Sequence, residues 1–340
     1  MTMIDLRSDT LTRLNKKDLN NINYNYISDD CYNEDIYVKK LESYISELFN
    51  KESALFMPSG TMSNQIGLKV LSSLGNEVIT EVGYHICFFE SSQTSALSGL
   101  IINNIKTQNG ILTEDEVIQA INSKARWSNL YATPQVIAIE SSISTYGGMV
   151  FPLLEIKKLK KLCLEKGMSL FLDGARVLNT CISLKLSPAE YVKEIDLLNI
   201  CLSKGIGAPF GSVLVGSKHH IENAKRYRKW YGGALHQSGL LAAIALNKLE
   251  HYESQLRTDH QNAAQLASIA STYFQLAYPV ETNIVMIKTP DAERVVQALK
   301  NAGILAIAWT SDIVRFVTSS NITEAMINQL DPLFKKIKNI

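Results

Sequence analysis

Between about residues 53 and 240, short apolar runs alternate with helical stretches, and this alternation limits the fold more than any other feature of the chain. The runs SALFMPSG, EVIT, LIINNI, QVIAIESS, MSLFLDGAR, LLNICLSKG and GSVLVGS read as strands, and segments such as 154–166 between them read as helices. Strands separated by helices are crossover units, so the spacing predicts an α/β fold with a largely parallel sheet between helices. In such a sheet ligands sit beyond the carboxyl ends of the strands. Three strands close on polar residues there: Pro58-Ser59-Gly60-Thr61, Asp173-Gly174-Ala175-Arg176 and Ser203-Lys204-Gly205.

On either side the pattern changes. Val38, Leu41, Ile45, Leu48 and Phe49 recur at helical spacing and predict a helix over 36–50, preceded by an irregular Asn-, Asp- and Tyr-rich stretch at 15–35. Residues 238–256 read as one helix leaving the large unit. Strands near NIVMIK and DIVRFVT, with helices near 291–302 and 323–337, predict a smaller α+β domain. The expected division is an N-terminal segment and helix (1–50), a large domain (51–240) and a small C-terminal domain (241–340). At 340 residues and 46% hydrophobic, the chain is long enough for two cores.

A formal charge of +1 makes no field that would gather nucleic acid or an anionic membrane, so a small molecule is the expected partner. No apolar run approaches the roughly 20 residues of a membrane helix, and the start lacks the apolar core of a signal peptide; the expected location is the cytoplasm. Five cysteines, Cys31, Cys87, Cys163, Cys181 and Cys201, form no C-x-x-C pair and read as buried thiols, with no metal site expected.

Lys204 leaves a buried strand for a Gly-rich turn, where a partly desolvated amine is available as a nucleophile toward an aldehyde; a solvated loop lysine would look the same. Asp173 closes the strand SLFLD, a costly place for a carboxylate unless a cation meets it, as a helix cap or an ion pair with Arg176 could also explain. The 31 residues from Asp173 to Lys204 are one crossover, which sets both on neighbouring strand ends. Pyridoxal phosphate (PLP) needs this pair: a lysine for its aldehyde and an anion beside its ring nitrogen. Ser59-Gly60-Thr61 precedes a helix whose free amides suit a phosphate, or serves as an ordinary cap and turn. His85 sits among apolar residues, as either a packed core histidine or a ring stacked on a cofactor.

Together DLRSDT at 5–10, DDCYNED at 29–35, PSGTMSNQ at 58–65, FLDGAR at 171–176, CLSKGIGAP at 201–209, RKWYGG at 228–233 and VRFVT at 314–318 resemble the low-specificity L-threonine aldolases, members of the β-eliminating lyase group of fold-type I PLP proteins. The resemblance implies a fold-type I architecture and PLP as cofactor. It implies that Lys204 carries PLP as a Schiff base, Asp173 meets the pyridine nitrogen, Gly60 and Thr61 hold the phosphate, and His85 stacks on the ring near the substrate hydroxyl. Ser8, Arg176 and Arg315 would grip the substrate carboxylate, to which a planar guanidinium fork is suited, and Arg176 would also help bind the cofactor. A homodimer or homotetramer with sites at subunit interfaces is implied as well.

The expected reaction breaks or forms the Cα–Cβ bond of a threonine-like L-β-hydroxy-α-amino acid, with glycine and an aldehyde as the other partners. Alternatives are a PLP-dependent transaldolase, a β-eliminating lyase or racemase-like enzyme, and, from a different class, an inactive PLP-binding scaffold. Two departures bear on substrate. Ile143 stands where the family has a histidine, and His236 where it commonly has an arginine. An apolar Ile143 at the β-substituent would favour bulk there.

Overall fold

The computed structural model describes residues 3–124 and 130–338. After a short strand β1 (Ile4–Asp5), seven strands build the central sheet: β2 (Ser53–Met57), β3 (Glu77–Glu81), β4 (Ile101–Ile105), β5 (Pro134–Glu140), β6 (Ser169–Asp173), β7 (Leu197–Cys201) and β8 (Ser212–Gly216). Their spatial order is β2-β8-β7-β6-β5-β3-β4. Strands β3, β7 and β8 are buried along their whole length, because helices cover both faces, and this is why their sequences read as continuous apolar runs. Edge strand β4 has no fully buried residue.

The sheet is parallel except for β8, which runs against both of its neighbours. Only 202–211 separate β7 from β8, too few residues for the dozen or more that a crossover requires. Because β8 reverses, β2 again points the same way as β7. The carboxyl ends of β2, β3, β5, β6 and β7 therefore share one edge.

A second sheet pairs β9 (Ile284–Lys288), β11 (Ile307–Ala308) and β12 (Ile313–Val317) in antiparallel fashion. Its core gathers Leu266, Val285, Val314, Phe316 and Phe334, and it also takes in Ile4 and Leu6. Strand β1 pairs in parallel with β10 (Ile304–Leu305), so the first residues join the C-terminal core. Helix Ile36–Leu48, whose Asp35 caps the amides of Tyr37 and Val38, instead puts Val38, Leu41 and Ile45 into the large core. Each such fully buried Leu, Ile or Phe contributes roughly 1.5–3 kcal/mol. The first fifty residues are thus divided between two cores.

Two expected helices are broken. The run 238–256 forms Gly239–Leu249 and the start of Tyr252–Ser271. The second helix must cross from one core to the other: Tyr252 and Leu256 pack in the large core, Ala263 and Leu266 in the small one. Near the C-terminus, Glu324–Asn328 and Leu330–Ile337 replace a single helix. Pro332 has no N–H to donate and fits only in the first turn, so the second helix restarts just before it. Stretch 15–35 forms three one-turn 3-10 helices, Lys16–Leu19, Tyr24–Tyr26 and Asp30–Tyr32. Of the cysteines, Cys163, Cys181 and Cys201 are buried, but Cys87 is half-buried and Cys31 exposed, contrary to the expectation from sequence.

Candidate active site

Asp173 ends β6 beside Asn199 of β7, its partner in register, and only 1% of it is exposed. One carboxylate oxygen accepts from Asn64 Nδ2 (2.9 Å), the other from the amide of Ala175 (3.1 Å) and Asn199 Nδ2 (3.3 Å). All three donors are neutral. Among the described residues no cation pairs with Asp173, and the ion pair with Arg176 considered from sequence does not form. A buried carboxylate solvated only by amides is costly until a cation joins it. Gly174 follows because its close approach to β7 leaves no room for a Cβ, which would lie 2.8 Å from the Asn199 carbonyl.

Lys204 lies three residues past β7, half-buried, with no hydrogen bond or ion pair to its ammonium among the described residues. Its charge reaches Asp9, His85 and Cys201, which places it at the centre of the cluster.

Helix Gly60–Val70 starts at the end of β2, capped by Ser59, whose Oγ accepts from the Met62 amide. Gly60 and Thr61 amides keep no protein partner among the described residues, and a helix start presents them to an anion. A Cβ on Gly60 would lie 2.6 Å from Cys201 Sγ, so no larger residue fits.

His85 opens a short helix after β3. Its backbone N–H donates to Glu140 Oε2 (2.6 Å) and its Nε2 meets Glu90 Oε1 at 3.2 Å. Burial opposes protonation of the ring, but Glu90 and the charge of Asp173 outweigh it and the His85 pKa is raised. Glu140 ends β5 opposite Asp173 in register; burial, then the neighbouring Asp173 charge, pushes its pKa up to about 7. Asn64 reaches both Asp173 and, at 3.4 Å, Glu90. Asn64, Glu90 and Glu140 were not singled out from sequence. Two of them had a signal: Asn64 is four residues after Gly60 and so on the same helix face, and Glu140 closes β5 as Asp173 closes β6.

The arginines differ in state. Arg176 Nε and Nη2 donate to the two oxygens of Asp9 at 2.8 and 2.7 Å, both residues buried. Arg315, on β12, lies with its guanidinium carbon 4.2 Å from the centre of the Trp309 ring; among the described residues it donates only to the Arg7 carbonyl (3.3 Å) and leaves Nε buried without a partner. Burial, then the charge of Arg176, draws the Arg315 pKa down to about 10. Asp9 is paired with Arg176, whereas Arg315 has no carboxylate partner among the described residues. Ser8 caps the 3-10 turn Asp9–Leu11 by accepting from Thr10 N, and carries the chain to this point.

Two expectations about departures from the family pattern change here. Ile143 is fully buried in the large core, bonded through its backbone to Met149, and does not face an open site. His236 is exposed and binds Asp29 Oδ2 at 2.8 Å through Nδ1. A cavity of about 750 Å³ beside Asn15, Asp18, Asn247 and Lys248 shares none of the site residues, and its Lys248 is already paired with Asp18 at 2.8 Å.

A mainly parallel sheet with a small C-terminal α+β unit, and with lysine and aspartate on adjoining strand ends, defines the fold-type I class of PLP enzymes. A structure of SPT with PLP as internal aldimine shares this fold at TM-score 0.74 and 16% identity, over 98% of this chain and 87% of that one. The Leishmania major threonine aldolase superposes at TM-score 0.86 and 21% identity, over 98% and 99%. The model of the beta-eliminating lyase family matches residues 5–292, and the chain belongs to that family. The low-specificity L-threonine aldolase 1 of Arabidopsis thaliana is 33% identical over 96% of this chain and 94% of its own.

Proposed function

We propose that the protein is a PLP-dependent aldolase that cleaves or forms the Cα–Cβ bond of a threonine-like L-β-hydroxy-α-amino acid, with glycine and an aldehyde as the other partners. Asp173 carries this reading: a buried carboxylate with three neutral donors and no cation fits a protonated pyridine ring. The names of the relatives supply the reaction type.

When bound, PLP supplies a ring that draws electrons from the bond at Cα. Lys204 Nζ is the amine that would bond to its aldehyde carbon, and the Gly60 and Thr61 amides would hold its phosphate. His85 would lie on the ring; with Nε2 held at Glu90, Nδ1 of the neutral ring would be the nitrogen that takes the proton of the β-hydroxyl. Arg315, with its unpaired Nε, is the principal donor to the substrate carboxylate. Arg176 adds charge from behind its pair with Asp9, and Ser8 lies beside them. Fixing amine and carboxylate together sets which bond at Cα faces the ring. We also infer that it acts in the cytoplasm, and that it assembles as a homodimer or homotetramer; the exposed Phe88 and Trp230 support the assembly, to be read by light scattering.

The test is to give purified, PLP-loaded protein L-threonine and L-allo-threonine and quantify glycine and acetaldehyde together. Equal amounts of both are expected. Ammonia and a keto acid, or no product, would overturn the aldolase reading.

A further inference from the structure

Four side chains form a continuous line of tilted ring contacts across the site, from the large core to the C-terminal one. The His85 and Phe89 rings are 5.0 Å apart at 36°, Phe89 and Trp309 are 6.1 Å apart at 56°, and the Arg315 guanidinium carbon lies 4.2 Å from the Trp309 ring centre. Phe89 follows His85 by one helical turn, so both rings share a face. Trp309 directly follows β11 and reaches across from the C-terminal sheet. Phe89 remains 47% exposed and Trp309 half-buried, which leaves apolar ring surface open to water between the residues assigned to the cofactor and to the carboxylate.

We propose that Phe89 and Trp309 form an aromatic wall that selects L-β-hydroxy-α-amino acids with an aryl group on Cβ; this rests on the site assignment of the preceding subsection. A substrate with its amine at Lys204, whose charge reaches His85, and its carboxylate at Arg315, which lies on Trp309, would be held between the two ends of the wall and offer its β-substituent to the two rings. A methyl group covers little of their surface. An aryl group can stack or meet them edge to face, arrangements that aromatic rings favour beyond simple burial. Trp309 has a second duty, holding the guanidinium plane of Arg315 by cation–π contact, which acts on every amino acid alike. Discrimination between substrates therefore isolates the wall from the anchor.

The experiment compares kcat/KM for L-threo-3-phenylserine and L-threonine in the PLP-loaded wild type, Phe89→Ala, Phe89→Leu and Trp309→Ala, and records the cofactor absorption band of each. The wild type is expected to favour phenylserine. Its preference should fall about tenfold in each variant with the band unchanged, a loss within the range of a single apolar pocket contact. Phe89→Leu keeps apolar bulk in case the alanine variant does not fold. Equilibrium titration with phenylalanine and with alanine should show the same loss of discrimination without turnover. An unchanged phenylserine-to-threonine ratio in the folded variants, with the cofactor band present, would overturn the wall alone. A wild type with no cofactor band would overturn the site assignment, and the wall with it.

Discussion

Asp9 and Arg176 lie 167 residues apart in sequence and meet through two hydrogen bonds, both side chains almost wholly out of water. The pair ties the N-terminal segment, whose β1 pairs with β10 beside the C-terminal core, to the strand end that carries Asp173. Burial works against the Asp9 charge, yet Arg176 outweighs it and the carboxyl is held below its ordinary range. Asn283 adds a third donor at 3.3 Å. The N-terminal segment is thus a structural part of the site.

Asp9→Asn should leave Arg176 buried without its counter-charge. Removing one partner of a buried pair costs about 3–5 kcal/mol, so the urea midpoint should drop clearly and KM for the amino acid should rise. A variant as stable as the wild type, with unchanged KM, would show that the pair is dispensable.

Purified protein should be yellow, and sodium borohydride should abolish the band by fixing the cofactor covalently to Lys204, as peptide mass mapping would show. Lys204→Ala should fold with the wild-type circular dichroism spectrum and lack that band. Cofactor found on any other lysine contradicts the assignment.

Asp173→Asn should still bind PLP but lose roughly 100- to 1,000-fold in kcat, the scale seen when one preorganised electrostatic partner is removed. Its amide would also offer an N–H to the Asn64 and Asn199 donors that now point at the carboxylate. Undiminished turnover would make Asp173 purely structural.

Buried Asp259 accepts from Gln255 at 2.9 Å and leaves Oδ2 without a partner. Burial, opposed by Gln255 and reinforced by Asp9, raises its pKa from 3.8 to about 7. A carboxyl raised in the folded state imposes no penalty below its unfolded pKa; the cost grows as pH climbs from about 4 to about 7 and is full above that. Asp259→Asn should therefore stabilise the protein at pH 8, by at most about 4 kcal/mol, and bring little gain at pH 4. Denaturant midpoints across that range are the measurement, and a gain that does not depend on pH would contradict it.

Ile143→His should destabilise the fold by about 2 kcal/mol or more, because it places a polar ring in the core without a partner. It should leave the preference between phenylserine and threonine unchanged. A shift toward threonine would mean that Ile143 reaches the substrate after all.

Much of the architecture is legible in the sequence. Apolar runs of strand length, separated by amphipathic helices, placed all seven strands of the main sheet, because periodicity records which faces each element must bury. The turn after Cys201 and the polar closure of SLFLD put Lys204 and Asp173 on neighbouring strand ends by spacing alone. The reversal of β8 was not anticipated, although the linker 202–211 is too short to cross over. What periodicity cannot carry is the pairing of side chains remote in sequence. That Arg176 is taken by Asp9 while Arg315 keeps an unpaired Nε, that Phe89 meets Trp309 across two domains, and that Ile143 turns into the core depend on how the two cores dock. The local sequence determined where each reactive group would leave its strand, since that needs only backbone geometry and burial. Only the tertiary structure decided which charges neutralise one another and which are left for a ligand, since electrostatic pairing acts through space between groups whose separation along the chain says nothing of their distance.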